Sequence, residues 1–254
     1  MEHQADVIIV GTGVAGLFCA LQLPKELYIL MITKDKAEHS DSYLAQGGIS
    51  TLRTPEDYES YFEDTMRAGH YKNNPDSVDV MIRSSPQIIQ DLIDFGVEFE
   101  RTSDGLSYTR EGAHSTFRIL HHKDITGYEI TSKLMVQVQQ RPHIHIEEYT
   151  SMVDIIEQDN VCTGVIVRTK DGKIQPIYAK SVVLATGGLG GLFQSSTNYP
   201  HITGDALAIA LKHQIALQDI NYIQIHPTTL YSEKKGRSFL ISESVRGEGP
   251  VLLN

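Results

Sequence analysis

The sequence predicts an α/β protein that begins with a nucleotide-binding βαβ unit built on a parallel sheet. Residues 6–10 (DVIIV) form a short apolar run, which is typical of a strand buried on both faces of such a sheet. A Gly-rich turn over residues 11–16 follows at once and leads into a helix over 14–23, which Pro24 ends. A second apolar run, residues 27–32, completes the unit.

The middle of the chain predicts helices separated by loops. Residues 34–50 are polar, contain Gly and follow neither period, so they predict a long functional loop. Apolar side chains spaced by three and four predict helices over about 58–66 and 78–93, with Gly96 as the stop of the second. Residues 108–122 have no clear period.

The last third predicts mainly strands. After a helix over about 126–140, strand-like runs cover residues 144–148, 151–156, 161–169, 173–178 and 181–186. Asp171-Gly172 predicts a hairpin turn between the third and fourth runs, so a β-meander is added to the parallel sheet. A short helix is predicted over residues 204–213.

Composition excludes several classes of function. The 254 residues carry 22 basic and 32 acidic side chains, a net charge of −10, which argues against a nucleic-acid partner. No apolar run approaches the roughly 20 residues of a membrane span, and the N-terminus does not resemble a secretory signal. Two cysteines allow no disulfide framework, and His121-His122 have no third ligand at suitable spacing, so we expect no metal and a cytoplasmic location.

The Gly-rich turn has the spacing GxGxxG between strand and helix. Gly11 permits the tight turn, Gly13 lets the backbone approach a pyrophosphate, and Gly16 allows close packing of helix on strand. With Val14 and Ala15 these residues would present N–H groups to the phosphates. The motif suits NAD or FAD equally. The acid expected at the end of the second strand is missing, because Thr33-Lys34 stand there.

A second glycine pair follows the predicted strand over residues 181–186. Ala185-Thr186-Gly187-Gly188 could simply turn the chain, but together with the first turn it predicts a long cofactor held at two places. Asp205 stands near the start of the next helix. It is either an ordinary helix cap or a partner for the hydroxyls of a ribityl chain.

Several motifs in the same order carry a family resemblance. The loop YLAQGGI at 43–49, with GTGVAG, ATGG, HPT at 226–228 and RGEG at 246–249, resembles the flavoprotein family of succinate dehydrogenase, fumarate reductase and L-aspartate oxidase. The resemblance implies FAD and a Rossmann-like FAD-binding domain. It also implies FAD contacts from Lys34, in place of the missing acid, and from Ser42, Ala45, Gln46, Gly47, Gly48 and Val153.

Asp41 distinguishes the branches of this family. Members in membrane complexes carry a histidine at the matching position, and that histidine bonds FAD covalently. Because a carboxylate cannot play that role, the resemblance implies FAD that is bound non-covalently.

The segment TREGAHS at 109–115, followed by Arg118-Ile119, resembles the L-aspartate oxidase branch. On its own, Glu111 would be a solvated loop acid; the resemblance implies that it pairs with the ammonium group of aspartate. His226, Ser242 and Arg246 are implied to line the substrate site, although a structural histidine and a surface arginine are the plain alternatives. The implied reaction oxidises L-aspartate to iminoaspartate, with oxygen or fumarate as acceptor, in the pathway of NAD synthesis that quinolinate synthase continues.

The domain division follows from the same resemblance. We expect an FAD-binding domain over residues 1–220, with a helical insertion at about 52–125, and the beginning of a capping domain over residues 221–254. The chain ends within the apolar run after Pro250, which predicts that it is part of a longer polypeptide. A dicarboxylate dehydrogenase subunit and a non-catalytic FAD-binding fragment are the alternatives.

Overall fold

The structure is a computed structural model that describes residues 4–226, 228–231 and 237–241. The helices in this part of the chain are α1 (Val14–Gln22), α2 (Asp41–Leu44), α3 (Tyr58–Ala68), α4 (Pro75–Asp94), α5 (Thr126–Gln139) and α6 (Asp205–Lys212). The strands are β1 (Ala5–Val10), β2 (Ile29–Ile32), β3 (Ile49–Ser50), β4 (Arg101–Thr102), β5 (Gly105–Leu106), β6 (Tyr108–Thr109), β7 (Ile119–Leu120), β8 (Ile144–Glu147), β9 (Ser151–Gln158), β10 (Val161–Arg168) and β11 (Ile174–Leu184). Two short 3-10 turns lie at Pro55–Asp57 and Gly190–Leu192.

The main sheet has six strands in the order β8-β2-β1-β11-β10-β9. The first four are parallel and the last three form an antiparallel meander, which confirms the predicted fold class. In the register, Val10 is paired with both Ile32 and Leu184. The carboxyl ends of three parallel strands therefore lie side by side, and the chain crosses to opposite sides of β1 there. Ligands of open α/β sheets bind at such a point.

Strand β11 differs from the prediction of two separate strands over residues 173–178 and 181–186. Its first half pairs antiparallel with β10, up to Tyr178, and from Ala179 onward it pairs parallel with β1. The prediction was wrong because Ala179-Lys180 was read as a break. One continuous strand pairs with β10 along its first half and with β1 along its second half. The sequence does not show that a strand continues where its partner changes.

The chain divides into two compact units. The first, residues 4–43 and 134–240, contains the six-stranded sheet, and its core packs side chains of the parallel and antiparallel strands together, such as Ile8, Ile32, Val165 and Ile177. Every residue of β2 is buried, as expected for a strand covered on both faces. This unit holds the glycine turns, so the sheet positions them.

The second unit is built mainly from residues 44–133, a range that includes residues 52–125. That these residues are an insertion stays a prediction. Its helices α3 and α4 bury Tyr61, Met66, Val78 and Ile82. Asn74 caps α4 by accepting from Ser77 N at 3.1 Å, and Gly96 ends it with φ +94°, as predicted.

Two segments without a clear period hold short elements. The loop predicted over residues 34–50 contains the one-turn helix α2 and the strand β3, and residues 108–122 contain β6 and β7. Strand β7 pairs with both β3 and β6, and its residues Ile119 and Leu120 are buried. Strands of two residues are too short to show alternation, so the sequence did not reveal them.

The described part of the chain has no helix that is both long and apolar enough to cross a membrane. The predicted domain boundary near residue 220 stays a prediction.

Candidate functional site

The turn after β1 fits closely against the end of β11. Gly11 has φ +116°, and a Cβ added to it would come 2.2 Å from the carbonyl oxygen of Ala185. Gly11 N donates to Ile32 O and Ala185 N donates to Val10 O, each at 2.9 Å. A Cβ at Gly16 would meet the Gly11 carbonyl oxygen at 2.2 Å. The first and third glycines therefore have the roles that the spacing predicted.

The middle of the turn faces α2. A Cβ at Gly13 would come 3.1 Å from Ser42 Oγ, and that hydroxyl accepts a hydrogen bond from Val14 N at 3.0 Å. Ser42 therefore satisfies an N–H group at the start of α1. Thr12 Oγ1 donates to Ala37 O at 2.8 Å and fixes the turn to the loop after β2.

A cleft of about 300 Å³ lies at the three strand ends, a volume within the range of small-molecule sites. The predicted residues that line it are Gly11, Gly13, Val14, Ala15, Lys34, Ser42, Ala185, Thr186, Gly187 and Asp205. Gly16, Val153 and Gly188 do not line it. Gly16 is buried under the turn, and Val153 is half-exposed on β9, next to Met152, which does line the cleft.

Lys34 and Asp205 meet across this cleft. Lys34 Nζ lies 2.8 Å from Asp205 Oδ2 and 2.8 Å from Thr203 Oγ1, which donates to Asp205 Oδ1 at 2.6 Å. Burial raises the pKa of Asp205, but the hydrogen bonds from Lys34 and Thr203 outweigh it, so the pKa lies below its usual value. The carboxylate is therefore charged. Gly204 occupies the N-cap position of α6, so Asp205 is not the cap of this helix.

The residues present fit a polar ligand such as FAD. Ser40 is only 9% exposed, and among the described residues its Oγ finds no hydrogen-bond partner. That oxygen lies 3.9 Å from the place of a Cβ at Gly13, beside the turn predicted to hold the pyrophosphate. A buried hydroxyl without a protein partner is suited to a ligand.

The AQGG loop, residues 45–48, belongs to the second unit, where Glu111 lies against it. Gly47 has φ +53°, and a Cβ added there would come 2.8 Å from Glu111 Oε1. Gly127 N donates to Ala45 O at 2.9 Å, and Thr126 Oγ1 donates to Gly47 O, so the start of α5 holds the loop. A Cβ at Gly48 would meet Leu120 O at 2.4 Å. The glycines make room for Glu111 on one side and for β7 on the other.

Arg118 anchors the segment that carries Glu111. Its guanidinium is 0% exposed and is paired with Asp57 (Nη2 to Oδ1, 2.8 Å) and Asp64 (Nη1 to Oδ2, 2.6 Å). Burial raises the pKa of Asp64, but hydrogen bonds from Ser115 N and from Arg118 more than offset it and hold the pKa far below its usual value. The sequence marked Arg118 only as part of a motif; its buried ion pairs became visible in the fold.

His114 links this anchor to β3. Arg118 Nη1 lies 3.1 Å from His114 Nδ1, and Ser50 Oγ lies 3.4 Å from His114 Nε2. A guanidinium can only donate, so Nδ1 accepts and the proton of a neutral ring is on Nε2. Burial and the charge of Arg118 lower the pKa of His114, which favours the neutral ring.

The remaining predicted substrate residues are not brought together in the described part of the chain. His226 belongs to the first unit, does not line the cleft, and has its Nδ1 3.2 Å from Thr228 N. Ser242 and Arg246 lie outside the described residues. No group of three His, Cys, Asp or Glu side chains within residues 4–226, 228–231 and 237–241 could hold a metal ion.

Some residues of the cleft were not predicted from the sequence. They come from the loop after β2, from the start of β9 and from the segment before α6: His39, Ser40, Thr150, Met152, His201 and Ile202. These residues belong to no sequence motif, and they reach the cleft only because the three segments lie close together in the fold. For His39 and Ser40, the proximity in sequence to Lys34 and Ser42 was the one available signal.

Comparison with known proteins points to the same cofactor. A family model described as FAD binding domain matches residues 6–254. An L-aspartate oxidase from Clostridium perfringens is 49% identical over 255 residues, which cover 100% of this chain and 58% of that protein. An L-aspartate oxidase from Synechocystis sp. is 40% identical, with 99% of this chain and 46% of that protein covered.

Solved structures agree on the fold. A quinol fumarate reductase chain from E. coli has a TM-score of 0.92 at 31% identity and covers 100% of this chain and 44% of its own length. A chain of the Mycobacterium smegmatis Sdh1 complex has a TM-score of 0.87 at 32% identity, with 99% and 46% covered. The chain thus spans about half the length of the relatives that it matches.

Proposed function

We propose, from the premise that this chain belongs to the FAD binding domain family, that the protein oxidises L-aspartate to iminoaspartate with non-covalently bound FAD. The observation that carries the choice of substrate is Glu111, whose carboxylate lies against Gly47 of the AQGG loop. A carboxylate held beside a flavin-family loop is suited to an ammonium group, which succinate lacks. The identity of 49% to an L-aspartate oxidase supports the same choice.

The residues of the first unit hold the cofactor in this proposal. Gly11, Gly13 and Ala15 in the first turn of α1 face the pyrophosphate, while Val14 N donates to Ser42 Oγ, and the hydroxyl-bearing parts of FAD lie toward Lys34 and Asp205. FAD bound by these residues would supply the acceptor for the hydride of the substrate. The FAD contacts of Val153, Gly188 and residues 45–48 stay predictions, and so does the absence of a covalent link, which rests on Asp41.

The residues proposed for the substrate orient aspartate by its charges. Glu111 pairs with the ammonium group, while His226, Ser242 and Arg246 are proposed to face the carboxylates. Oxidation removes a hydride from Cα and a proton from nitrogen. The electrons pass on to oxygen, which gives hydrogen peroxide, or to fumarate, which gives succinate.

The experiment that tests this function is an oxidase assay on the polypeptide at its natural length. We expect peroxide with L-aspartate and none with succinate. Oxidation of succinate without oxidation of aspartate would assign the protein to the dicarboxylate dehydrogenases instead. FAD that stayed on the protein after acid precipitation would contradict non-covalent binding.

Glu111→Gln tests the role of the carboxylate. The change removes the charge but keeps the shape, so we expect kcat/KM for L-aspartate to fall by roughly tenfold to a hundredfold, the range for a lost charge-assisted hydrogen bond. The KM for fumarate, which has no ammonium group, should change little. Asp104→Asn, at an exposed site of the same unit, is the matched control. Equal losses for both ligands would leave Glu111 with a purely structural role.

We further propose that the protein works in the cytoplasm, because its two cysteines allow no disulfide framework.

The product predicts the pathway of this enzyme. Iminoaspartate has an unstable C=N bond, so an enzyme such as quinolinate synthase would consume it promptly in NAD synthesis. Peroxide assays with and without that enzyme, followed by measurement of quinolinate, test the pathway assignment.

A further inference from the structure

Two loops of the first unit border the FAD cleft. His39 and Ser40 line it from the loop of residues 34–42, and His201 and Ile202 line it from the loop of residues 196–204. Each loop therefore forms part of the cleft wall.

Asp41 joins the two loops. One carboxylate oxygen accepts a hydrogen bond from Tyr199 N at 2.9 Å, and the other accepts from the side-chain amide of Asn198. Asn198 is itself fixed, because its N–H donates to Ser196 Oγ at 3.1 Å and its Oδ1 lies 3.2 Å from the same hydroxyl. Both oxygens of Asp41 are thus directed at the opposite loop.

We propose that Asp41 is a positioning residue whose carboxylate latches the loop of residues 196–204 in place and so raises the affinity for FAD. The inference rests on the assignment of FAD to this cleft. Hydrogen bonds to a carboxylate are stronger than those between neutral groups. A loop that is already held in its bound position costs less entropy when the ligand binds. Asp41 also lines the cleft, but both of its carboxylate oxygens are hydrogen-bonded to the opposite loop, so its contribution to affinity comes through that loop.

The neighbouring contacts depend on the same attachment. The Tyr199 ring stacks on His39 at 5.3 Å and on His201 at 5.4 Å, measured between ring centroids. The His201 ring nitrogen Nε2 lies 3.0 Å from His39 O. The amide that Asp41 holds belongs to Tyr199, the residue in the middle of this stack. Release of that amide would therefore loosen the wall of the cleft at His201 as well.

An exchange of the two latch side chains tests the inference. In Asp41→Asn the carboxylate charge is lost, and the new amide can pair with both Tyr199 N and Asn198 only if the Asn198 amide turns over and its oxygen leaves Ser196 Oγ. In Asn198→Asp two carboxylates face each other. In the double variant D41N/N198D the carboxylate and the amide have changed places. The amide can again donate to a carboxylate, its oxygen can accept from Tyr199 N, and Ser196 Oγ still faces an acceptor.

The readout is the Kd for FAD, measured by flavin fluorescence on the natural-length protein after removal of FAD. We expect each single change to raise the Kd roughly tenfold, and the double variant to recover most of that loss. Hydrogen exchange of the apoprotein should be faster over residues 196–204 in the single variants and normal in the double variant. Glu38→Gln, an exposed carboxylate of the same loop that does not line the cleft, is the control and should leave both unchanged.

The inference is overturned if the single variants bind FAD as tightly as the natural protein does, or if the double variant is no better than the weaker single variant. If one single variant folds poorly, comparison of the double variant with the natural protein and with the other single variant still decides the matter. Failure of the natural protein to bind FAD would instead remove the cofactor assignment. The two failures are therefore distinguishable.

Discussion

At the scale of single residues, the glycines of the candidate sites are required by what lies next to their Cα atoms. Gly11 and Gly47 both have positive φ, and in both cases a Cβ would meet an oxygen at less than 3 Å. At Gly11 that oxygen belongs to the backbone, so it cannot move aside. At Gly47 it belongs to the Glu111 carboxylate, which can move but would leave its place beside the AQGG loop.

Gly47→Ala should therefore weaken the recognition of aspartate in addition to straining the backbone. The αL-like conformation costs about 1 kcal/mol for alanine, and the new methyl group displaces Glu111. Gly96→Ala is the control, because Gly96 has φ +94° but open space around it. We expect both variants to unfold more easily in urea and only Gly47→Ala to raise the KM for L-aspartate. If both variants had a similar KM for L-aspartate, the role of Glu111 would not depend on the glycine at position 47.

At the scale of elements, a buried cation joins α3, the turn before it and the segment that carries Glu111. Arg118 is enclosed and hydrogen-bonded on every side of its guanidinium, by Asp57, Asp64, Ser60 and His114. Its ring contact is Tyr61, with the guanidinium carbon 4.8 Å from the centroid. Removal of one partner of a buried ion pair destabilises the protein strongly, because the remaining charges stay buried and uncompensated.

Arg118→Met should destabilise the second unit strongly, by about 3–5 kcal/mol, because two carboxylates then lose their buried cation. Arg67→Met is the matched control. Arg67 pairs with the other oxygen of Asp64 but is 55% exposed, so its loss should cost less than about 1 kcal/mol. Urea unfolding of both variants makes the comparison. Similar losses would show that the buried pairs add no more than the exposed one.

Acid should weaken the same cluster. Burial opposes ionisation of Asp57 and Asp64, but hydrogen bonds to Arg118 and its neighbours lower both pKa values in the folded chain. Their contribution to stability is therefore complete above the unfolded pKa of about 4 and is lost as the pH falls below it through the folded pKa values. We expect the free energy of unfolding to drop between about pH 4 and pH 2, and to drop less in Arg118→Lys, where fewer hydrogen bonds lower the pKa.

An equal drop in the natural protein and in Arg118→Lys would assign the acid sensitivity to other carboxylates. Urea titrations at a series of pH values supply the measurement, since they report the free energy of unfolding directly.

At the scale of the whole molecule, FAD should stabilise the first unit by mass action. At a free concentration about 100 times its Kd, FAD should add about 2.7 kcal/mol to the free energy of unfolding, and its removal should lower the Tm. Hydrogen exchange should slow at the carboxyl ends of β1, β2 and β11. NAD at the same concentration is the control, because the glycine turn alone suits NAD and FAD equally. Equal protection by NAD would contradict the assignment of FAD.

The sequence by itself determined the elements that have a repeating pattern or a spacing. The buried runs of β1 and β2, the GxGxxG turn and the 3.6-residue stripes of α3 and α4 are local, so they are legible without the fold. The cofactor also followed from the order of the motifs, and the FAD binding domain match bears it out. Such features depend on the residues themselves and on neighbours a few positions away.

Only the tertiary structure decided which distant groups face each other. Lys34 and Asp205 are 171 positions apart, yet they form an ion pair across the cleft, and Asp41 reaches Tyr199. Arg118 looked like a motif residue and is a buried cation; β11 looked like two strands and is one. The physical reason is the same in each case. Pairing of charges and change of strand partner depend on distances in space, which the sheet fixes and which no local pattern records.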